Sequence, residues 1–105
     1  MVKAIYVVYR KEGISPEEFA RHWTEVHAPI ASNLPYVRSY TIHPATAAME
    51  IEGDKQADGF AVLTWDSMED FQKAAASPEM AAAGEDAANF ARHFEVYLVD
   101  DHTVI

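Results

Sequence analysis

The amino-acid sequence predicts an α+β domain in which helices cover one face of a four-stranded antiparallel sheet. Four short runs of β-branched and aromatic residues have the composition of strands, and they begin near residues 2, 37, 59 and 94. Serine caps open helical segments between the first two runs and between the last two. The chain has 105 residues. Because domains commonly contain about 100–150 residues, we assign residues 1–105 to a single domain.

The first quarter of the chain predicts a strand and a helix. Residues 2–9 favour a strand that is apolar on both alternating faces and therefore needs cover on both. Ser15 as the N-cap and Pro16 at the first helical position predict a helix over residues 16–28. Pro29 is expected to end or kink this helix, because proline lacks an N–H and clashes with the preceding turn.

The middle of the chain predicts two further strands and a second helix. Residues 37–43 favour a strand that ends at Pro44, and residues 59–66 favour the next one. The segment between them, residues 45–58, is small, acidic and aperiodic, and we interpret it as a mobile loop that acts as a lid. Ser67 is the predicted cap of the second helix.

The end of the chain predicts a short helical piece and the last strand. Ser77 opens the helical piece, Gly84 is expected to close it, and residues 86–92 are expected to add a further turn. Residues 94–99 favour the last strand. The resulting order, β-α-β-β-α-β, is the ferredoxin-like arrangement.

A ferredoxin-like sheet leaves one face without helices. Because the first strand is apolar on both sides, that face would expose a large apolar patch in a monomer. We therefore expect a homodimer in which the exposed sheet faces of two subunits meet in a shared barrel.

The composition excludes several classes of function. With 17 acidic and 8 basic residues, the formal charge is −9, which repels phosphate backbones and anionic membranes, so we expect no nucleic-acid or membrane partner. The absence of cysteine excludes disulfides and thiolate metal sites, and it suits a cytoplasmic location. The N-terminal apolar run is too short to span a membrane and does not have the layout of a signal peptide.

Two histidines on the first predicted helix are the foremost candidates for chemistry. His22 and His27 are five residues apart, which on an α-helix separates their side chains by roughly 140°. Zinc-binding pairs are instead spaced at i and i+4, so the spacing argues against a metal site and no metal ligand is assigned.

Each histidine has two interpretations. His22 either hydrogen-bonds a neighbouring element or transfers protons. His27 either locks the loop after the helix or faces a cavity as a general acid or base, since imidazole titrates near neutral pH. His102 follows Asp100 and Asp101 and is a further catalytic candidate, although a solvated terminal cluster explains the same pattern.

Three aromatic residues are candidates for lining a substrate pocket. Trp23 lies at the centre of the apolar stripe of the first helix, where core packing is the alternative. Tyr40 and Trp65 lie on predicted strands and are able to face either side of the sheet. The sequence contains neither a nucleophile elbow nor a glycine-rich phosphate loop, so we expect no nucleotide cofactor.

The candidate residues belong to motifs that extend along the chain. The first is Phe19-x-x-His22-Trp23-x-x-x-His27-Ala28-Pro29, followed by Leu34-Pro35 and Tyr40. The others are Asp58-Gly59-Phe60, Trp65-Asp66-Ser67-Met68-Glu69, Ala76-Ser77-Pro78-Glu79 and Val99-Asp100-Asp101-His102-Thr103-Val104-Ile105. Together these motifs resemble the EthD family of dimeric α+β barrels. Two positions depart from the family pattern: Tyr36 replaces the usual glycine at the expected pocket mouth, and the shorter Asp100 and Asp101 replace the usual glutamates.

The resemblance implies a small protein that works on hydrophobic molecules. Relatives in the wider superfamily include muconolactone-type isomerases, quinone-forming monooxygenases and polyketide cyclases, which frequently need no cofactor. We therefore expect a cofactor-independent enzyme of isomerase, lyase or oxidoreductase type, acting on a small hydrophobic carbonyl or aromatic compound in catabolism or secondary metabolism. The alternatives are a protein that only binds such a molecule and an accessory protein of a degradation pathway. Fold alone does not decide among them.

Overall fold

The computed structural model describes residues 1–47 and 56–105 and contains a four-stranded antiparallel sheet. The strands are β1 (Val2–Arg10), β2 (Ser39–Pro44), β3 (Gly59–Trp65) and β4 (Ala91–Val99). They lie in the spatial order β2-β3-β1-β4, which confirms the predicted ferredoxin-like arrangement. Most of the predicted lid, residues 48–55, lies outside the described residues.

The helices begin at the predicted serine caps. The helical segments are α1 (Pro16–Arg21), a π-helical segment (His22–His27), α2 (Ala28–Ala31), α3 (Met68–Ala75) and α4 (Pro78–Ala87). Each cap hydroxyl, on Ser15, Ser67 or Ser77, accepts a hydrogen bond at 3.1 Å from the backbone N–H three residues further on. These bonds satisfy donors that a helix start otherwise leaves free.

The first helix differs from its predicted form. It runs without a break from Pro16 through Pro29 to Ala31, so the predicted end at residue 28 is wrong. The six-residue segment before the proline is π-helical, and the N–H of Ala28 bonds the carbonyl of Trp23, five residues back. A proline inside an α-helix crowds the carbonyl four residues earlier, and the wider π turn accommodates it.

Two boundaries near the end of the chain also differ. Gly84 does not close α4, which continues to Ala87. The last strand begins at Ala91, before the predicted residue 94, and its register with β1 shifts between Tyr9 and Arg10. The predicted boundaries rely on glycine as a helix terminator, but Gly84 has no positive φ.

The two faces of the sheet are distinguished by the pairing register. Tyr6 of β1 lies opposite Ala61 and Val96, and this set faces the helices. The alternate positions point to the uncovered face: Ile5, Val7, Phe60, Val62 and Tyr97. Phe60 and Tyr97 remain 42% and 52% exposed, so the bare face presents aromatic side chains to solvent.

A glycine sets how closely the first helix approaches the sheet. A Cβ on Gly59 would lie 2.9 Å from Cη2 of Trp23 and 2.9 Å from the carbonyl oxygen of His43. Trp23, which is 2% exposed, packs its ring directly on the glycine backbone. Phe19 and Phe90 pack against the same indole with tilted rings, whose centroids lie 5.3 and 6.0 Å from it.

Candidate functional site

A cavity of about 190 Å³ lies between the helices and the covered face of the sheet. Its aromatic walls are Tyr6, Trp23, Tyr40, Phe90 and Phe94. Among the described residues that line it, none is a lysine, an arginine, an aspartate or a glutamate, and His27 is the sole histidine. Within the part of the chain that the structure describes, this site is therefore an apolar chamber with one imidazole and two phenols.

A buried carboxylate holds that imidazole in place. Nδ1 of His27 lies 2.8 Å from Oδ2 of Asp86, whose residue is 8% exposed. An ionised carboxylate only accepts hydrogen bonds, so the contacting nitrogen must donate. In neutral His27 the lone pair is therefore on Nε2, and the ring that carries it lines the cavity.

The same carboxylate binds a second histidine and an amide. Nε2 of His22 lies 3.0 and 3.1 Å from the two oxygens of Asp86, and the side-chain amide of Asn89 donates to Oδ1 at 3.1 Å. Phe90 covers both imidazoles, with ring centroids 5.2 Å from His22 and 4.9 Å from His27. The carboxylate thus orients His27 from within a largely enclosed hydrogen-bond network.

The π turn explains why both histidines reach Asp86. A π-helix bonds residue i to residue i+5, so positions five apart lie on the same face one turn from each other. The predicted divergence of His22 and His27 assumed α-helical geometry and is wrong. The nitrogen–oxygen distances are those of hydrogen bonds, and no cluster of three or more His, Cys, Asp or Glu side chains among the described residues is arranged to hold a metal ion.

Burial and hydrogen bonding act against each other at this network. Burial lowers the pKa of His27, while the hydrogen bond and charge of Asp86 partly offset it, and His22 lowers it further. Burial on its own would raise the pKa of Asp86, but hydrogen bonds from Asn89, His22 and His27 outweigh it and hold that pKa below its usual value. The resting pair is therefore an ionised Asp86 and an uncharged His27 at neutral pH.

The two cavity tyrosines stay protonated over a wide range of pH. Burial raises the pKa of Tyr40 to about 12, with the Trp23 side chain acting in the opposite direction. Burial also raises the pKa of Tyr6. Both hydroxyls can therefore donate hydrogen bonds to an oxygen atom of a bound molecule.

The structure brings some of the predicted site residues together and separates others. His27, Trp23 and Tyr40 line the cavity, whereas His22 lies behind Asp86, outside the lining. Trp65 is fully buried under α3, packs edge-on against Phe71 and donates from Nε1 to the carbonyl of Pro35 at 3.0 Å, away from the cavity.

The C-terminal cluster does not join the cavity either. His102 is exposed in the tail after β4 and is absent from the cavity lining. Asp101 instead accepts hydrogen bonds at 2.8 and 2.9 Å from Lys3. Tyr36, at the expected pocket mouth, is also outside the lining and has a φ of 62°, a left-handed conformation that favours glycine.

Sequence reasoning missed Asp86 and Phe90, which complete the site. Asp86 is one of 17 acidic residues, so its type alone carries no signal. A local signal does exist, because Ala83, Asp86, Ala87 and Phe90 follow helical spacing and form one buried or half-buried face. A carboxylate within such an apolar stripe requires a partner.

Comparisons with known proteins agree with this architecture. The EthD domain matches residues 11–93. An ethyl tert-butyl ether degradation (EthD) family protein from Bacillus halodurans C-125 superposes with a TM-score of 0.78 at 23% identity, covering 97% of this chain and 99% of its own. None of the curated proteins shows a significant match.

Two further solved structures share the fold at lower identity. SnoaB, a cofactor-independent oxygenase from Streptomyces nogalater, has a TM-score of 0.65 and 16% identity over 99% of this chain and 95% of its own. A dimeric protein of unknown function with a ferredoxin-like fold, from Bacteroides fragilis NCTC 9343, has a TM-score of 0.64 and 14% identity over 95% of each chain. No helix among the described residues is long and apolar enough to cross a membrane.

Proposed function

Because the chain belongs to the EthD family and places one oriented imidazole in an apolar cavity, we propose a cofactor-independent enzyme that moves a proton on a small hydrophobic carbonyl or aromatic compound. The observation that carries the proposal is the contact between Asp86 and Nδ1 of His27. It leaves Nε2 as the basic atom of a ring that lines the cavity. The cofactor-independent oxygenase SnoaB has the same fold, which supports this class of chemistry but does not specify the reaction.

The proposed step is the removal of an acidic C–H or O–H proton by His27. With a ketone, Nε2 of His27 takes the proton on the carbon next to the carbonyl, and the electron pair of the C–H bond forms an enolate. Asp86 stabilises the imidazolium that results. The hydroxyl of Tyr40 donates a hydrogen bond to the enolate oxygen, where negative charge develops. Return of the proton to the same or another carbon completes an exchange or an isomerisation without any oxidant.

Hydrogen exchange of 2-tetralone in D₂O tests this step. This molecule is an uncharged aromatic ketone with exchangeable α-hydrogens, whose loss is followed by proton NMR. We expect the wild-type protein to accelerate the exchange, and His27→Gln to reduce the protein-catalysed rate about 10²–10⁴-fold, the range that general bases contribute.

The matched comparison is His102→Gln, which alters a histidine of the exposed tail. We expect this variant to catalyse the hydrogen exchange of 2-tetralone at the wild-type rate, because His102 is outside the cavity lining. Equal rates in the wild type and in His27→Gln, with circular dichroism showing both folded, would contradict the assignment of His27 as the base.

A non-catalytic binding protein is the alternative function. The observation that favours it is the small number of polar groups in a cavity whose walls are mainly aliphatic and aromatic. Under this alternative, 2-tetralone raises the melting temperature but its hydrogens exchange no faster than in buffer. The two measurements together distinguish catalysis from ligand binding alone. An accessory role predicts neither a higher melting temperature with 2-tetralone nor faster exchange of its hydrogens.

The proposed assembly is a homodimer through the bare sheet face. That face carries Ile5, Val7, Phe60, Val62 and Tyr97, and a similar solved structure is described as dimeric. Sedimentation of the wild type and of Phe60→Glu tests it, because a charge introduced among the apolar side chains of this face should favour the monomer. The cytoplasm is the proposed location, on the ground that the chain has no cysteine.

A further inference from the structure

Gly84 occupies a position in α4 where a glycine brings no structural advantage. It lies in the interior of the helix that spans Pro78–Ala87, and glycine is among the poorest residues for a helix interior. Its φ is not positive, and a Cβ built on it meets no heavy atom within 4 Å. Neither backbone conformation nor close packing therefore requires glycine here, in contrast to Gly59.

The position of Gly84 relative to the cavity offers a reason. Together with Met80, Ala83 and Ala87 it forms one face of α4, at the spacing i, i+3, i+4 and i+7, and all four residues line the cavity. Gly84 is also exposed, so it lies where the cavity meets solvent. A side chain at this position would project into the space that an entering molecule crosses.

The opposite wall determines which shape of molecule fits. Phe94 and Val96 of β4 line the cavity and are still 44% and 42% exposed, so the aromatic and aliphatic wall extends to the rim. Ala83, Gly84 and Ala87 present at most a methyl group from the other side. These two surfaces form a slot bounded by small residues on α4 and by larger apolar residues on the sheet.

We propose that Gly84 sets the size limit of the ligand, which is a flat, uncharged molecule of one substituted ring or two fused rings. This inference rests on the proposed function, whose ligand class it narrows. A cavity of about 150 Å³ holds benzene, so the 190 Å³ available here, open at Gly84, accommodates a somewhat larger ring system. Among the described residues, the lining contains no lysine or arginine, so a bound carboxylate would have no cationic partner there.

The test compares substitutions on the two sides of α4. Gly84→Ala and Gly84→Leu add side chains at the rim, whereas Ala82→Leu adds the same bulk at an exposed position of α4 that is outside the cavity lining. Binding of 2-tetralone is measured by isothermal titration calorimetry, with 2-naphthoate as the anion of similar shape. Melting temperatures are recorded without ligand.

We expect opposite effects on stability and on binding. Gly84→Ala should raise the melting temperature of the free protein by about 2–6 °C, because alanine is the better helix former. It should weaken 2-tetralone binding about threefold, and Gly84→Leu should weaken it about tenfold or more, because the added atoms occupy space that the ligand needs. Ala82→Leu should bind as the wild type does, and 2-naphthoate should bind to none of them.

Three results would overturn the inference. Wild-type affinity in both Gly84 variants would refute the size limit alone and leave the proposed function standing. Equal affinity for 2-naphthoate and 2-tetralone would refute the proposal that the ligand is uncharged. No binding of 2-tetralone to the wild type would overturn the inference together with the proposed function.

Discussion

Replacing Asp86 by asparagine perturbs the site most directly, because one carboxylate serves three partners. His22, His27 and Asn89 all donate to it within 3.1 Å. The substitution preserves the shape of the side chain but removes its charge and replaces one accepting oxygen with a donating NH₂. At least one buried donor then loses its acceptor.

The expected loss of stability follows from that single donor. A hydrogen bond to a charged group contributes about 1.5–3 kcal/mol, and an unsatisfied buried donor costs about 1–3 kcal/mol. The oxygen that remains still accepts from the other donors, so the losses do not add over all partners. We expect Asp86→Asn to lower the free energy of unfolding by about 2–4 kcal/mol at pH 7, as measured by urea denaturation.

The pKa of His27 provides an independent measurement. Asp86 supports the protonated imidazole against burial, so its removal should lower the pKa of His27 further. Titration of the imidazole resonances by NMR measures this shift. The same substitution should reduce exchange of 2-tetralone about 10²–10⁴-fold, because neither the tautomer nor the imidazolium of His27 is held.

The dependence of stability on pH should change in the same variant. The pKa of Asp86 is lowered on folding, so its contribution is present above the unfolded value of about 3.9 and is lost as pH falls through the folded value. The pKa of His27 is also lowered. The unfolded chain therefore binds more protons just below pH about 6.5, and stability falls there too. Asp86→Asn should remove the loss of stability at acidic pH that comes from Asp86, and it should retain the loss near pH about 6.5 that comes from His27. A variant with unchanged stability, or with a raised His27 pKa, would refute this account of the network.

Two further substitutions test the backbone positions that surround the cavity. Gly59→Ala should lower the free energy of unfolding by about 1–3 kcal/mol, because the new methyl overlaps Trp23 and overpacks the core; urea denaturation measures it, and wild-type stability would contradict the close contact. At Tyr36, whose φ is 62°, Tyr36→Gly should be more stable than Tyr36→Ala by about 1 kcal/mol. Equal melting temperatures of these two variants would show that the left-handed conformation is not retained.

The elements that could be predicted from the sequence are those with local signals. The strands and the serine caps depend on neighbouring residues, and their order alone leads to the ferredoxin-like arrangement. The length of the first helix could not be predicted, because proline is compatible with the wider turn that precedes it. The hydrogen bond between His27 and Asp86 joins residues 59 positions apart, and no local pattern of charge or spacing indicates that pairing.

The aromatic candidates show the same limit. Trp23, Tyr40 and Trp65 are all aromatic residues within apolar runs, so the sequence does not show which of them line the cavity and which pack in the core. Only the register of the strands and the packing of α3 distinguish them. Tyr40 faces the cavity, whereas the indole of Trp65 donates to Pro35 within the core. Which face a strand residue occupies depends on pairing with distant strands, so a single sequence leaves it open.

The π-helical segment has a consequence for how substitutions along the first helix should be read. The wider turn changes the angle at which side chains after His27 leave the helix, relative to those before His22. The residues of α1 and α2 therefore follow two angular frames and cannot be placed on one helical wheel. Positions in α1 and α2 that share a stripe on an α-helical wheel do not share a neighbour in the protein. Within the π-helical segment itself, Val26 lies three residues after the buried Trp23 and is 44% exposed. A one-residue deletion between His22 and His27 would merge the two frames, and the two histidines would then lie four residues apart on one α-helical face, so both would still face Asp86.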